Sequence, residues 1–230
     1  IREAIKVSNE QREALKEFYG LQKMDPPPMG GLEMHKVLDG VQFRFNIPKA
    51  TEDIRALSQK VKDEYDPNKY AGRKRILVTG SPIGCSTEKI VKAIEDNGGV
   101  VVTYENCGGA RSVDELVDET NPDVYDALAR RYIHIPCSCM SPNPRRLELM
   151  GRLIDEYKVD GVVEVVLHAY VHDGKPRSGI AAEGVYRAAA LNEIAHLHFR
   201  HFLPRGAHAL KGYVVIRREQ HHGFFGKHRA

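Results

Sequence analysis

Apolar residues in the first twenty positions fall at Ile5, Leu15, Phe18 and Tyr19 among many charges, which predicts an amphipathic helix less regular than ideal. Asp25-Pro26-Pro27-Pro28-Met29-Gly30-Gly31 must end it, because proline fixes φ and removes a backbone donor. A short helix is expected from Leu32 to Leu38. Thr51 is a candidate N-cap for a further helix to about Tyr65, with Ile54, Leu57 and Val61 on one face. Residues 1–70 therefore read as a mostly helical lead segment.

The pattern changes at Arg75. Ile76-Leu77-Val78-Thr79-Gly80 is a short apolar run ending in glycine, which predicts a buried parallel strand. A loop over Ser81-Pro82-Ile83-Gly84 leads to a helix from Ser86 to about Asn97, with Ile90, Val91 and Ile94 inward and Gly98-Gly99 ending it. Val100 to Tyr104 is a second strand. Helices are expected near 112–119 and 124–132, and a longer one from Arg145 to Tyr157. Gly161 to Leu167 is a third strand. Strands that alternate with helices predict an α/β fold: a three-layer parallel sheet of the Rossmann or flavodoxin-like kind, here spanning 71–169. In such sheets ligands lie beyond the C-terminal strand ends. Three segments fall there: Gly80 to Cys85, Glu105-Asn106-Cys107, and Leu167-His168-Ala169. After Tyr170, a helix over Gly179 to Phe202 and a strand over Lys211 to Arg218 are expected.

Hydrophobic residues at 42% and charged residues at 28% are ordinary for a globular protein. No run of ~18 apolar residues occurs, so no membrane span and no membrane partner are expected. The net charge of +3 hides an asymmetry, because residues 171–230 carry ten Lys/Arg against four Asp/Glu and eight of the eleven histidines. A basic tail can bind nucleic acid, but no nucleic-acid motif accompanies it, and no nucleic-acid partner is expected. The chain opens on Ile1 inside a helical pattern, without an initiator Met or signal sequence, so its natural start is expected upstream.

Four cysteines are present: Cys85, Cys107, Cys137 and Cys139. Without a secretion signal a reducing, cytoplasmic setting is the default, leaving metal ligation or buried packing as the alternatives. Cys107 follows a strand and precedes Gly108-Gly109, where the backbone can fold closely around a bulky ligand. Cys137-Ser138-Cys139 lies in a rigid loop between Pro136 and Pro142, able to fix thiolate directions as an iron–sulfur cluster requires. Cys85 sits near a helix N-terminus that favours thiolate, although a small residue filling a turn is the plainer reading. The Gly80 to Gly84 loop can present N–H groups to a phosphate, but it is neither a dinucleotide fingerprint nor a Walker sequence. Glu105 can serve as an acid or base or hydrogen-bond within its loop. His168 can be a ligand or a core histidine. His196, His198 and His201 lie close in the tail, and on a helix His198 and His201 would share a face, a zinc site lacking a clear third partner.

Several segments, taken in order, resemble one family: Arg75 to Gly84, Tyr104-Glu105-Asn106-Cys107-Gly108-Gly109-Ala110, Ala127 to Tyr132, Ile135-Pro136-Cys137-Ser138-Cys139-Met140-Ser141-Pro142-Asn143, and Glu156 to Val163. They resemble the C-terminal half of the 2-hydroxyacyl-CoA dehydratase and benzoyl-CoA reductase family, nearest to its double-cubane-cluster branch. The resemblance covers residues 1–169. It implies an iron–sulfur cluster, 4Fe–4S or double-cubane, held by Cys107 and one or both of Cys137 and Cys139, and incomplete in this chain. It also implies an ATP-driven activator protein that delivers low-potential electrons, a second copy or homologous subunit forming a dimer, and an acyl-CoA or other small substrate. Members are dehydratases or ATP-dependent reductases, and this chain alone is expected to be inactive.

Ser81 stands where the family often has Cys, and Cys85 where Gly is usual. Tyr170-Val171-His172 replaces a cysteine-bearing segment of close relatives. Residues 170–230 form a divergent tail, explained by a shifted reading frame or gene fusion, or by divergence of this lineage. A shifted frame would leave the sheet without its final strand and helix. Two other functional readings stand beside the reductive one: a non-catalytic truncated remnant of the family, and an unrelated phosphate- or nucleotide-binding α/β domain using the Gly80 to Gly84 loop.

Overall fold

Three runs rich in β-branched residues form the parallel heart of a sheet: β1 (Lys74–Gly80), β2 (Gly99–Glu105) and β3 (Gly161–Val166). The computed structural model describes residues 1–80, 86–137, 140, 142–166, 194–198 and 211–217. Strand β1 lies at the centre, parallel to β2 on one side and to β3 on the other. Every residue of β2 is buried, as expected of a strand covered on both faces.

The helices are α1 (Arg2–Gly20), α2 (Gly31–Val41), α3 (Ile47–Asp63), α4 (Ser86–Asp96), α5 (Ala110–Val113), α6 (Val124–Ile133) and α7 (Pro144–Glu156). One face of the sheet presents Ile76, Val78, Val101, Val163 and Val165, packed with Phe18 and Tyr19 of α1, Met34 and Leu38 of α2, Ile54 of α3 and Val91 of α4. The other face presents Leu77, Val100, Val102 and Val162 to Leu149, Met150 and Leu153 of α7. The alternation of side chains along a strand produces this division. The lead helices thus form one layer over the sheet. Arg75 binds that layer to the strands: its guanidinium donates to the carbonyls of Tyr157 at 2.8 Å, Met24 at 3.0 Å and Gln22 at 2.6 Å. Gln22 in turn donates to the carbonyl of Val101 at 3.3 Å.

Local differences from the sequence reading have identifiable hydrogen bonds behind them. Helix α3 begins at Ile47, capped by Asn46, whose side chain accepts from the Lys49 N–H at 3.1 Å. Thr51 lies inside the helix, where its hydroxyl donates to the Ile47 carbonyl at 2.9 Å. The helix expected near 112–119 stops at Val113. Beyond it Asn9 of α1 holds Val117 on both backbone groups, at 2.8 and 3.0 Å, and these bonds replace those of a further helical turn.

In the tail, β4 (Ile194–His198) and β5 (Lys211–Arg217) extend the sheet to the order β2-β1-β3-β5-β4, both pairings being antiparallel. The strand over 211–217 agrees with expectation, whereas 194–198 is extended and does not belong to the helix expected over 179–202. Pairing with β5 satisfies backbone groups that a helix would have satisfied internally. Strand β3 is therefore not the sheet edge, and the parallel sheet has become a mixed one. The rest of the expected helix lies outside the described residues. No helix among the described residues is long and apolar enough to cross a membrane.

Candidate functional site

At the C-terminal ends of the three parallel strands, register places one polar residue of each in a single row: Thr79 lies opposite Glu105 on one side and Glu164 on the other. The three are 1%, 0% and 4% exposed. All point to the α7 face of the sheet. A carboxylate out of water must be paired or neutralised. Two arginines, each 2% exposed, come to meet this row, Arg111 from α5 and Arg146 from α7.

Arg111 grips Glu105 as a fork: Nε lies 2.5 Å from Oε1 and Nη2 lies 2.9 Å from Oε2. Planar, two-point pairing of this kind is what a guanidinium provides and an ammonium does not. Arg146 approaches Glu105 Oε2 through Nε and Nη2, both at 3.4 Å, and donates to Thr79 Oγ1 at 3.2 Å. The Thr79 hydroxyl donates to the same carboxylate oxygen. Glu105 is thus a shared acceptor for three side chains. Among the described residues, Oε1 of Glu164 and Nη1 of Arg146 are buried without a hydrogen-bond partner. Burial pushes the Glu164 carboxyl above the usual carboxylate range, with Arg146 opposing the shift and Glu105 reinforcing it.

Cys107 is carried on the turn that follows β2. Asn106 closes this turn, its side-chain oxygen accepting from the Gly108 N–H at 3.1 Å and its carbonyl from the Gly109 N–H at 3.1 Å. The close approach at Gly109 is to the protein's own backbone: a Cβ there would sit 2.2 Å from the Tyr104 carbonyl oxygen. Cys107 itself is exposed. Nη1 of Arg111, the end of the guanidinium that Glu105 leaves over, donates toward its sulfur at 3.9 Å.

Cys137 is partly exposed and its thiol is free. Its N–H donates to the Ile135 carbonyl at 2.7 Å, and its own carbonyl accepts from the Met140 N–H at 3.0 Å and from Asn143 Nδ2 at 2.6 Å. Asn143 also caps α7, accepting from the Arg146 N–H at 3.3 Å. One side chain therefore ties the cysteine loop to the helix that delivers Arg146. Burial lowers the proton affinity of Arg111, but the hydrogen bonds and charge of Glu105, together with Cys107 and Cys137, outweigh it and raise the net value.

Of the sequence-predicted residues, the fold carries Cys107 on the turn after β2, in contact with Arg111, and Cys137 on the loop that Asn143 ties to the start of α7. Cys139, Cys85, the loop over 81–85 and His168 lie outside the described residues. Glu105 is no accessible acid or base, since it is fully buried and ion-paired. His198 falls on a strand, which removes the helical face it was expected to share with His201. Among the described residues no group of three or more His, Cys, Asp or Glu has the arrangement of a metal site. The donor chemistry nonetheless fits an iron–sulfur cluster in kind: two free, solvent-reached thiols, one of them in contact with a buried cation. They supply half of the four thiolates usual for such a cluster. A shallow cleft of about 170 Å³ between Arg2, Ile5, Lys6, Asp118 and Val124 contains none of these groups.

Sequence reasoning missed Thr79, Arg111, Asn143, Arg146 and Glu164. A signal existed for two of them. Glu164 interrupts an apolar strand, and a buried carboxylate demands a cation. Asn143 before Pro144 is an N-cap pattern. Nothing local marks Arg111 and Arg146 among the many surface arginines.

A family model described as 2-hydroxyglutaryl-CoA dehydratase, D-component, matches residues 1–169. The chain is also similar to the protein named "Putative dehydratase subunit YjiM" of Escherichia coli (strain K12), with 45% identity over 170 residues, 74% of this chain. It spans 44% of that protein's length. The family match covers the lead helices and the parallel strands, and both thiol loops lie inside it.

Proposed function

The chain belongs to the 2-hydroxyglutaryl-CoA dehydratase D-component family, and on that premise we propose that it is part of an iron–sulfur subunit for reductive chemistry such as 2-hydroxyacyl-CoA dehydration. Cys107 and Cys137 hold iron in this reading, with Cys139 as a further ligand. A cluster bound there supplies a low-potential electron to the substrate. The chain's own residues hold the thiols in place, shield one side of them with buried protein and set a positive charge behind them. The electron donor is an ATP-driven activator, and the partner subunit is a second copy or a homologue. A reducing, cytoplasmic setting goes with this reading, because both thiols must stay free for metal.

The observation that carries it is a free thiol, Cys107, that accepts from a buried guanidinium at the C-terminal sheet end, with a second free thiol, Cys137, thirty residues on, whose loop is tied through Asn143 to the helix that brings Arg146 to the same buried carboxylate. That edge is where α/β sheets bind ligands. Because the chain spans 44% of its relative's length, full activity is assigned to the whole protein. The test is anaerobic reconstitution with iron and sulfide, of the chain alone and of the chain mixed with the complementary N-terminal segment of a full-length relative. Bound iron and acid-labile sulfide, lost on Cys107→Ala, Cys137→Ala or Cys139→Ala, are expected. A chain that binds no iron in either preparation would be a non-catalytic remnant. Binding of ATP or CoA without iron would instead favour the phosphate-binding alternative.

A further inference from the structure

Arg111 is held from behind more tightly than a side chain that merely neutralises Glu105 would need to be. Glu105 takes both Nε and Nη2. Nη2 also lies 3.4 Å from the Glu105 backbone carbonyl. Thr79 and Arg146 fix Glu105 in turn. The guanidinium plane cannot rotate without breaking this set, so the direction of Nη1 is determined by the strand ends. It points at the Cys107 sulfur, 3.9 Å away. Arg111 is 2% exposed, so its charge acts through protein with little screening by water.

Resting on the cluster reading above, we infer that Arg111 is a positioning residue whose Nη1 donates a hydrogen bond to the ligating Cys107 sulfur and so raises the cluster's reduction potential. Reduction adds one electron, supplied by the donor protein, to a group that is already anionic. A fixed donor and a nearby positive charge stabilise the reduced form more than the oxidised form. Glu105 acts through Arg111, and its own charge lies on the far side of the guanidinium from the sulfur. Partners of this kind, one layer behind the ligands, orient the ligands and tune the metal.

The experiment is a redox titration followed by visible absorption, in whichever of the two reconstituted preparations loads iron. The parent is compared with Arg111→Lys, Arg111→Gln and the double variant Glu105→Gln/Arg111→Gln. The double variant removes both charges of the buried pair and so serves where the single glutamine variant does not fold, as judged by circular dichroism. Iron content equal to the parent is expected in the folded variants. Arg111→Gln should shift the one-electron equilibrium about tenfold toward the oxidised form, ~59 mV to more negative potential. Arg111→Lys, which keeps the charge but not the directed donor, should fall between the two. Folded, iron-loaded variants with the parent's potential would overturn this inference and leave the cluster reading intact. Loss of iron from folded Arg111→Lys would also overturn it, by making Arg111 a requirement for assembly. A parent that loads no iron in either preparation would overturn both.

Discussion

Substituting Glu105 by Gln removes one negative charge from a site where every neighbour is a donor. The carboxylate is 0% exposed, and the arginines beside it are 2% exposed. Oε1 accepts from Arg111 Nε, and Oε2 from Arg111 Nη2, Arg146 Nε, Arg146 Nη2 and Thr79 Oγ1. A glutamine fills the same volume but offers one oxygen. Its amide nitrogen must face either Arg111 Nε or the crowded set at Oε2, donor against donor. Two guanidinium charges then remain buried with no full counter-charge. Removing one partner of a buried ion pair costs about 3–5 kcal/mol, because the uncompensated charge stays out of water. In a chain of this size each kcal/mol corresponds to roughly 2–4 °C in Tm, so Glu105→Gln should lower Tm by roughly 6–20 °C. Urea unfolding followed by far-ultraviolet circular dichroism, with m unchanged, measures the loss directly. In a double-mutant cycle the combination with Arg111→Gln should cost less than the sum of the singles, with a coupling of at least about 1 kcal/mol. A loss below about 1 kcal/mol for Glu105→Gln would refute the reasoning, since it would mean that water reaches the strand ends and screens the charges.

Three further outcomes are expected. Asn9→Ala, which cuts both bonds to the Val117 backbone, should destabilise by about 1–3 kcal/mol through unsatisfied buried groups; chemical denaturation measures it, and a neutral result would mean that the 114–119 segment does not depend on α1. Gly109→Ala places a methyl 2.2 Å from the Tyr104 carbonyl and should cost about 1–3 kcal/mol by overpacking, with unchanged stability counting against the turn geometry around Cys107. Glu164 has its folded-state carboxyl raised mainly by burial, so the native state holds a proton that the unfolded chain gives up near the ordinary glutamate value of about 4.3. Stability contributed by that proton is present at low pH and is lost as pH rises through the window above ~4.3 up to the raised folded value. Glu164→Gln should therefore gain on the parent progressively across that window and then level off; a stability difference independent of pH would show that Glu164 ionises freely in the fold.

Much of the architecture was legible from pattern alone. Ile76 to Gly80, Val100 to Tyr104 and Gly161 to Val166 carry the β-branched runs of buried strands. The helices between them carry apolar stripes at helical spacing, so a parallel α/β core follows from the pattern. The lead helices were equally readable, to within a few residues at their ends. Two misses fell where a tertiary bond competed with local preference: Asn9 unwound the segment after Val113, and pairing with β5 drew residues 194–198 into the sheet. The third was local, Asn46 taking the cap expected of Thr51 through a bond to Lys49 three residues on. The thiols at Cys107 and Cys137 could be singled out by residue type and loop character, as candidates for metal ligation or for packing.

The sequence by itself determined the parallel strands, the helices that cover them and the loops that carry Cys107 and Cys137, because side-chain periodicity and the backbone limits of proline and glycine act over a few residues and can be read over a few residues. Only the tertiary structure decided what stands behind the thiols. Strand register set Glu105, Thr79 and Glu164 in one row, and the packing of α5 and α7 brought Arg111 and Arg146 onto it. The energy of such a network depends on distance and burial between residues hydrogen-bonded across up to sixty-seven positions, and neither quantity exists until the chain has folded.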